Sequence, residues 1–208
     1  KDKTLGTDGF RVTVAPSGEV TVQATTDRGL LYGAYELLRQ QELSPDGPQA
    51  VTSVPAYKHR ILNHWDNMDG SIERGYAGQS FFWGPATNPQ RWQEYGRACA
   101  SIGLNVAVIN NVNASPRVLG TEALQRTRDI ADALRPYGMR VALAINFSSP
   151  AALGGLPTSD PRDPAVQQWW KAKANEIYSL IPDFAGFLVK ANSEGQPGPQ
   201  DFGRTQAD

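Results

Sequence analysis

The second part of the sequence alternates short apolar stretches with amphipathic segments, and this alternation restricts the fold more than any other feature. The apolar stretches are residues 60–65, 104–109, 140–145 and 184–189. Between them, apolar residues recur at the three- and four-residue spacing of a helix that has one buried face. Near-continuous apolar strands separated by amphipathic helices are typical of a parallel sheet covered by helices.

Capping and breaking residues mark the ends of the intervening helices. The pattern predicts one helix from Asn88 and Pro89 to Gly103, a second that Thr121 caps and Gly138 ends, and a third that opens at Asp163. The first of these helices has a predicted apolar stripe made of Trp92, Tyr95, Cys99 and Ile102.

The beginning of the chain has a different pattern. Residues 9–14 and 19–24 alternate apolar and polar side chains around a Pro-Ser-Gly turn, which predicts a hairpin. Thr26 or Asp27 then caps a helix. Residues 43–57 are rich in Ser, Pro, Asp and Gly, which is typical of a linker.

These patterns divide the chain into three parts. We interpret residues 1–48 as the C-terminal part of a small α/β accessory domain and 49–57 as a linker. Residues 58–208 are interpreted as the first half of a TIM-barrel catalytic domain, truncated after its fourth strand. The predicted fold class is therefore α/β, the first half of a TIM (β/α)8 barrel preceded by the end of a small α+β domain.

A doubly wound sheet is the competing architecture. No Gly-rich phosphate loop follows any of the predicted strands, and each strand ends instead in Asn, Trp, Asp or a Lys/Glu pair. Polar side chains at the carboxyl ends of several strands are what the active face of a TIM barrel requires. An open half-barrel would expose sheet edges, which is a liability unless the other half covers them.

Charge and cysteine content argue against several classes of function. Twenty basic residues balance 21 acidic ones without clustering, so we expect neither a nucleic-acid partner nor an anionic membrane surface. No apolar stretch reaches the roughly 18 residues that span a bilayer. The single cysteine and two histidines argue against an internal disulfide and against a Cys/His zinc site.

Lys190 and Glu194 come directly after the fourth predicted strand, in a loop that Pro197 and Pro199 stiffen. A carboxyl group on such a loop can be partly desolvated, so we expect the pKa of Glu194 to rise enough for proton donation near neutral pH. Lys190 is suited to hold an anionic group of a substrate. The two residues could equally form only a structural ion pair.

The long loop at 66–87, after the first strand of the second part, is the next candidate region. Trp65 could form an apolar wall for a sugar face, Asp66 or Glu73 could bind hydroxyl groups, and Arg74 could orient them. Glu73 and Arg74 could also be a structural ion pair. After the next strand, amide side chains that can bind hydroxyl groups in either direction follow, namely Asn110, Asn111 and Asn113. Asn at the end of a strand is also ordinary turn chemistry, and the pattern alone favours that interpretation.

Two segments of the chain carry a family resemblance. Residues 63–78, NHWDNMDGSIERGYAG, and residues 189–199, VKANSEGQPGP, resemble the α-glucuronidases of glycoside hydrolase family 67. The resemblance covers the whole chain. It implies an inverting hydrolase in xylan degradation, which removes α-1,2-linked (4-O-methyl)glucuronic acid from the terminal xylose of xylo-oligosaccharides without a metal or other cofactor.

The resemblance also implies roles for individual residues. Glu194 matches the general acid that protonates the glycosidic oxygen, and Lys190 matches a ligand of the uronate carboxylate. Trp65 matches a tryptophan that lines the glucuronate pocket. The remaining matches, which resemble ligands of sugar hydroxyl groups, are Glu73, Asn113 and Arg74.

Inversion needs a second carboxylate about 6.5–9.5 Å from the acid. In the family this general base comes from a part of the barrel beyond residue 208, and Asp201 is too near Glu194 in sequence to replace it. We therefore expect the chain alone to be inactive. The resemblance is compatible with a homodimer of the full-length protein and, for a bacterial source, with a cytoplasmic location.

Two other functions fit parts of the pattern. Another TIM-barrel glycosidase, such as a β-hexosaminidase, would need an adjacent Asp-Glu pair at the fourth strand end, where this chain has Asn192, Ser193 and Glu194. A non-catalytic carbohydrate-binding fragment would keep Trp65, Lys190 and the amides without performing chemistry.

Overall fold

The structure is a computed structural model that describes residues 3–85 and 88–208. Within these residues the chain forms an antiparallel sheet of three strands and a parallel sheet of four strands. Helices follow the first hairpin and connect the parallel strands. The predicted α/β class with a parallel sheet is confirmed. The predicted loop at 66–87 ends in residues 86 and 87, which lie outside the described part of the chain.

The antiparallel sheet contains β1 (Phe10–Val14), β2 (Val20–Ala24) and β3 (Val51–Ser53), in the order β2-β1-β3. Helix α1 (Asp27–Leu43) follows the hairpin, and its Tyr32 packs with Phe10 and Val12. The side chain of Thr26 accepts a hydrogen bond from the backbone N–H of Gly29 at 3.1 Å, so the predicted cap is confirmed.

Strand β3 lies inside the stretch that its composition indicated to be a linker. Its residues pair antiparallel with β1, with Val51 opposite Val12 and Ser53 opposite Phe10. The linker interpretation is therefore wrong for residues 51–53, because a three-residue strand is too short to show an alternating pattern among Pro, Asp and Gly. The division of the chain at residues 48 and 57 stays a prediction.

The parallel sheet contains β4 (Ile61–Asn63), β5 (Val106–Val108), β6 (Arg140–Ile145) and β7 (Gly186–Val189). The strands are hydrogen-bonded in the order in which they occur along the chain, and each neighbouring pair is parallel. The connections contain α2 (Pro89–Ser101), α3 (Thr121–Leu134), α4 (Ser149–Gly154) and α5 (Pro164–Leu180), of which the short α4 was not predicted.

Both faces of the two central strands are buried. On one face Ala107, Ile109 and Leu143 pack in a core with buried side chains of the connecting helices, which are Trp92, Cys99, Leu124, Ile130, Leu134 and Ile177. On the opposite face Val106, Val108, Ala142 and Ala144 form a second cluster. Because neither face meets water, these strands are apolar at nearly every position.

Most helix ends follow the predicted signals. Asn88 caps α2 by accepting from Gln90 N at 2.9 Å, and Asp163 caps α5 by accepting from Ala165 N at 2.8 Å. Thr121 is a correction, because it is the first residue of α3 and Gly120 occupies the cap position. Ile102 is also a correction, since it follows the last residue of α2 and is 74% exposed.

The outer strands of the parallel sheet carry exposed apolar side chains. Ile61 of β4 is 50% exposed, and Val189 of β7 is 47% exposed. Within the described residues, β4 and β7 each have one neighbouring strand in this sheet. The parallel sheet therefore ends on both sides in a partly apolar edge.

A buried carboxylate joins the two sheets. Asp8 is 6% exposed and accepts hydrogen bonds from Arg28 of α1 at 2.8 Å and from Arg60, just before β4, at 2.7 Å. Asn105, just before β5, donates to the same carboxylate at 3.0 Å. Burial acts to raise the pKa of Asp8, but the hydrogen bonds from Arg60 and Arg28 outweigh it and lower the pKa.

We predict that Asp8→Asn destabilises the chain by about 3–5 kcal/mol, because it leaves two guanidinium groups without a buried counter-charge. Since folding lowers the pKa of Asp8, its contribution is present above the unfolded pKa of about 3.9 and is lost as the pH falls through the folded pKa. Urea unfolding across pH measures both effects.

The control for this experiment is Asp132→Asn, which removes a carboxylate that is 47% exposed from its pairs with Arg128 and Arg135. We expect that variant to lose about 0–1 kcal/mol, as exposed ion pairs do. Equal losses in the two variants would contradict a special role for the buried cluster.

Candidate active site

The loops that follow the parallel strands meet at the carboxyl end of the sheet. Trp65 follows β4, Asn113 follows β5, and Lys190 and Glu194 follow β7. In a parallel sheet, the residues that follow the carboxyl ends of the strands all lie at the same end of the sheet. The structure accordingly brings side chains from three separate loops into contact.

Lys190 contacts side chains of all three loops. Its ammonium group donates a hydrogen bond to Asn113 Oδ1 at 3.0 Å and pairs with the Glu194 carboxylate. It lies 5.9 Å from the centroid of the Trp65 ring, within the range of a cation–π contact. The side chain of Lys190 is only 15% exposed, although it carries a full charge.

Glu194 extends this contact to the other two predicted residues. Its second carboxylate oxygen lies 3.7 Å from Arg74 Nη2, and Arg74 Nε lies 3.9 Å from Glu73 Oε1. The charges of Lys190, Glu194, Arg74 and Glu73 therefore alternate in sign across the site. All six predicted site residues belong to this one group.

The expected rise in the pKa of Glu194 is wrong for this arrangement. The hydrogen bond and the charge of Lys190 lower its pKa, and Arg74 adds to the effect. Burial is too small to oppose them, because the Glu194 side chain is 54% exposed. In the structure Glu194 is an ionised carboxylate that serves as the counter-ion of Lys190.

The backbone of the site loops is unusual. Glu73, Asn192 and Glu194 have φ angles of 60°, 51° and 48°, and they are the non-glycine residues with positive φ in the described part of the chain. This left-handed conformation is uncommon for residues with a Cβ and persists where surrounding contacts hold it. Two of these residues carry the carboxylates of the site.

Three other candidate residues form hydrogen bonds within the protein. Asp66 is 3% exposed and accepts from Ser80 Oγ and Phe81 N, each at 2.6 Å, so it holds the β4–α2 loop together. Asn110 and Asn111 are 3% and 4% exposed, and their amides bind backbone groups. All three side chains are thus hydrogen-bonded within the protein, which favours turn chemistry for the asparagines, and hydroxyl binding by Asp66 stays a prediction.

Asp201 and His64 also have structural partners. Asp201 accepts a hydrogen bond from Gly198 N at 2.9 Å in the turn after β7. His64 Nε2 lies 2.7 Å from the hydroxyl oxygen of Tyr95, and burial lowers the pKa of His64 although nearby Asp66 opposes the shift.

A cavity of about 890 Å³ lies beside the site, between the loops after β4 and β5. Asn67, Asn111 and Asn113 contribute to its lining, together with Arg117 and Glu122. Lys190 and Glu194 do not line it. Of the six predicted residues, Asn113 alone contributes to this cavity.

The described residues contain neither a metal-ligand group nor a membrane-spanning helix. Among residues 3–85 and 88–208, no group of three or more His, Cys, Asp and Glu side chains is arranged to hold a metal ion. No helix in the same part of the chain is long and apolar enough to cross a membrane.

Most of the chain matches a family model. Residues 39–208 match the middle domain of glycosyl hydrolase family 67.

Curated relatives match nearly the whole chain. The probable alpha-glucuronidase A of Aspergillus clavatus is 45% identical over 207 residues, which are 98% of this chain and 24% of the relative. The alpha-glucuronidase A of Aspergillus tubingensis is 45% identical over 204 residues, which are 97% of this chain and 24% of the relative. The chain thus spans about a quarter of the length of these relatives.

Solved structures share the fold at low sequence identity. A family 115 4-O-methyl-alpha-glucuronidase matches with a TM-score of 0.59 and 16% identity over 95% of this chain and 28% of its own. A beta-N-acetylhexosaminidase from Bacteroides fragilis matches with a TM-score of 0.53 and 15% identity over 87% of this chain and 42% of its own. Likeness at this identity concerns the fold alone.

We predict that Lys190→Met raises the pKa of Glu194 towards its ordinary value of about 4.3, because the first cause of the lowering is removed. Arg74→Met should raise it less, since Arg74 lies 3.7 Å away and contributes less. Titration of isotopically labelled glutamate carboxyl groups by NMR measures both shifts. A larger shift in Arg74→Met would contradict the assignment of Lys190 as the main partner.

Proposed function

Because the chain belongs to glycosyl hydrolase family 67, we propose that the full-length protein is an inverting α-glucuronidase. By full-length protein we mean a polypeptide that contains this chain and is as long as its curated relatives. Its proposed substrate is a xylo-oligosaccharide that carries α-1,2-linked (4-O-methyl)glucuronic acid. The observation that carries the proposal is the contact between the ammonium group of Lys190, whose side chain is mostly buried, and the carboxylate of Glu194.

The proposed architecture is the first half of a TIM barrel. The parallel strands lie side by side in chain order, as they do around a barrel, whereas a doubly wound sheet reverses direction at a switch point. Exposed apolar side chains on β4 and β7, such as Ile61 and Val189, are consistent with edges that further strands cover.

Recognition of the uronate rests on Lys190. A substrate carboxylate that reaches this ammonium group would form a charge-assisted hydrogen bond, about twice as strong as a neutral one. The Trp65 ring beside Lys190 offers an apolar face to the sugar. Glu73 and Asn113 are the proposed partners of its hydroxyl groups, with Arg74 next to them.

The same contact explains how an ionised Glu194 becomes an acid. When the uronate binds Lys190, it replaces Glu194 as the counter-ion, and Glu194 then has a second carboxylate as its neighbour. A like charge and the loss of the ammonium partner both raise the pKa of a carboxyl group. Glu194 takes up a proton on substrate binding and is then ready for the chemical step.

In the chemical step Glu194 donates its proton to the glycosidic oxygen as the bond from that oxygen to the anomeric carbon breaks. Water attacks the anomeric carbon from the opposite face, and a second carboxylate removes the proton of the water. Asp201 is engaged by Gly198 N, so we assign the base to the remainder of the full-length protein. The chain alone is accordingly proposed to release no glucuronic acid from aldotriouronic acid.

A non-catalytic sugar-binding protein is the second candidate. It is favoured by the lowered pKa of Glu194, which suits a counter-ion better than a proton donor. A β-hexosaminidase is less well supported, since the likeness to that class concerns the fold and no adjacent Asp-Glu pair follows β7.

We predict that Glu194→Gln in the full-length protein lowers kcat by a factor of about 10²–10⁴ while substrate binding is retained. The loss should be smaller for substrates with good leaving groups, because these need less protonation. Steady-state kinetics with aldotriouronic acid and an aryl glucuronide measure the difference.

The control is Glu42→Gln, which changes an exposed carboxyl group near the end of α1 and should leave kcat unaltered. Weakened affinity without any dependence on the leaving group would instead support the sugar-binding function.

A further inference from the structure

The backbone carbonyl of Glu73 receives two side-chain amide groups. Asn67 Nδ2 donates to Glu73 O at 2.9 Å, and Asn111 Nδ2 donates to the same oxygen at 3.1 Å. The backbone N–H of Glu73 donates to Trp65 O at 2.9 Å. Both backbone polar groups of Glu73 are thus held at a residue whose φ is 60°.

The two amide groups also bind each other, and their capacity is used up inside the protein. Asn111 Nδ2 donates to Asn67 Oδ1 at 2.9 Å, and Asn67 Nδ2 donates to Ser71 Oγ at 2.9 Å. Each NH₂ group has two hydrogens to donate, and here each finds two acceptors. Asn111 therefore has no amide hydrogen left for a sugar, because it donates both to oxygen atoms of the protein.

Asn111 is connected to Lys190 as well. Its Oδ1 accepts from the backbone N–H of Asn113 at 2.9 Å, and Asn113 Oδ1 in turn accepts from Lys190 Nζ at 3.0 Å. One buried side chain thus touches the turn that carries Glu73 and the residue that holds Lys190. Glu73 and Lys190 belong to loops that are far apart in the sequence.

We propose that Asn111 is a positioning residue of this site, which sets the distance between Glu73 and Lys190 by binding Glu73 directly and Lys190 through Asn113. The proposal rests on the α-glucuronidase function proposed above. Asn111 holds Glu73 in the left-handed conformation. Through Asn113, it also holds the ammonium group of Lys190 in a fixed position. Asn67 shares the first of these tasks.

Asn110 provides the matched comparison, since it is the adjacent residue and is equally buried. Its amide group forms two hydrogen bonds with the backbone of Ala144 in β6, both at 2.9 Å. It forms no hydrogen bond with any of the six site residues among those described. A purely structural asparagine at this position in the fold behaves as Asn110 does.

The test is a pair of double-mutant cycles in the full-length protein, with kcat/KM for aldotriouronic acid as the readout. Asn111→Asp keeps the shape and the acceptor for Asn113, but turns an oxygen towards two acceptor oxygens. We expect it to lower kcat/KM about 10²-fold, as a misplaced binding group does. Combined with Glu73→Ala, the loss should be much smaller than the product of the two single losses.

Asn110→Asp combined with Glu73→Ala should give losses that multiply, because Asn110 does not act through Glu73. Thermal unfolding of each variant separates lost folding from lost positioning. If Asn111→Asp does not fold, Asn67→Asp replaces it, since Asn67 is only partly buried and binds the same carbonyl.

The outcomes separate this inference from the proposed function. Independent, multiplying losses for Asn111→Asp and Glu73→Ala would overturn the positioning role while leaving the α-glucuronidase function intact. An unaltered kcat/KM in Glu73→Ala would also overturn it, since there would be no ligand to position. Absence of glucuronic acid release by the unmodified full-length protein would overturn the proposed function.

Discussion

The site depends on one requirement, which is that the ammonium group of Lys190, on a side chain that is only 15% exposed, must have a counter-ion. A charge that is withdrawn from water costs free energy unless it is paired and hydrogen-bonded. In this chain Glu194 supplies the negative charge and Asn113 supplies a further acceptor. In the proposed function an acidic sugar competes with Glu194 for the same ammonium group, and both the proposed selectivity for a uronate and the proposed protonation of Glu194 follow from this one contact.

The two ends of the parallel sheet have different tasks. Arg60 and Asn105 precede their strands and bind Asp8 at the amino end, where the buried cluster fastens the first sheet to the second. Trp65, Asn113 and Lys190 follow their strands and meet at the carboxyl end. The stabilising contacts thus lie at one end of the sheet, and the loops of the candidate site lie at the other.

The sequence predicted elements whose signals are local. Asn88 and Asp163 cap their helices through neighbouring N–H groups, and the strand at 140–145 has its predicted bounds, because capping and apolar runs depend on adjacent residues. Strand β3 was missed because its pairing with β1 depends on residues some forty positions away. The grouping of six site residues was predictable from their positions after parallel strands.

Other properties of the site were not predictable, because one residue type serves several tasks. A carboxylate such as Asp66 and an amide such as Asn111 can bind a sugar or the backbone, and only their burial decides between the two. The direction of the pKa shift of Glu194 likewise depends on its distance from Lys190.

Calorimetric titration of the full-length protein with glucuronate, in buffers of different ionisation enthalpy, tests the exchange at Lys190 most directly. We predict that binding takes up close to one proton per site at a pH between the lowered pKa of Glu194 in the free protein and its raised pKa in the complex, and that Glu194→Gln takes up none. Glucuronate binding without proton uptake in the unmodified protein would show that Glu194 stays ionised in the complex, and would contradict the proposed exchange of counter-ions at Lys190.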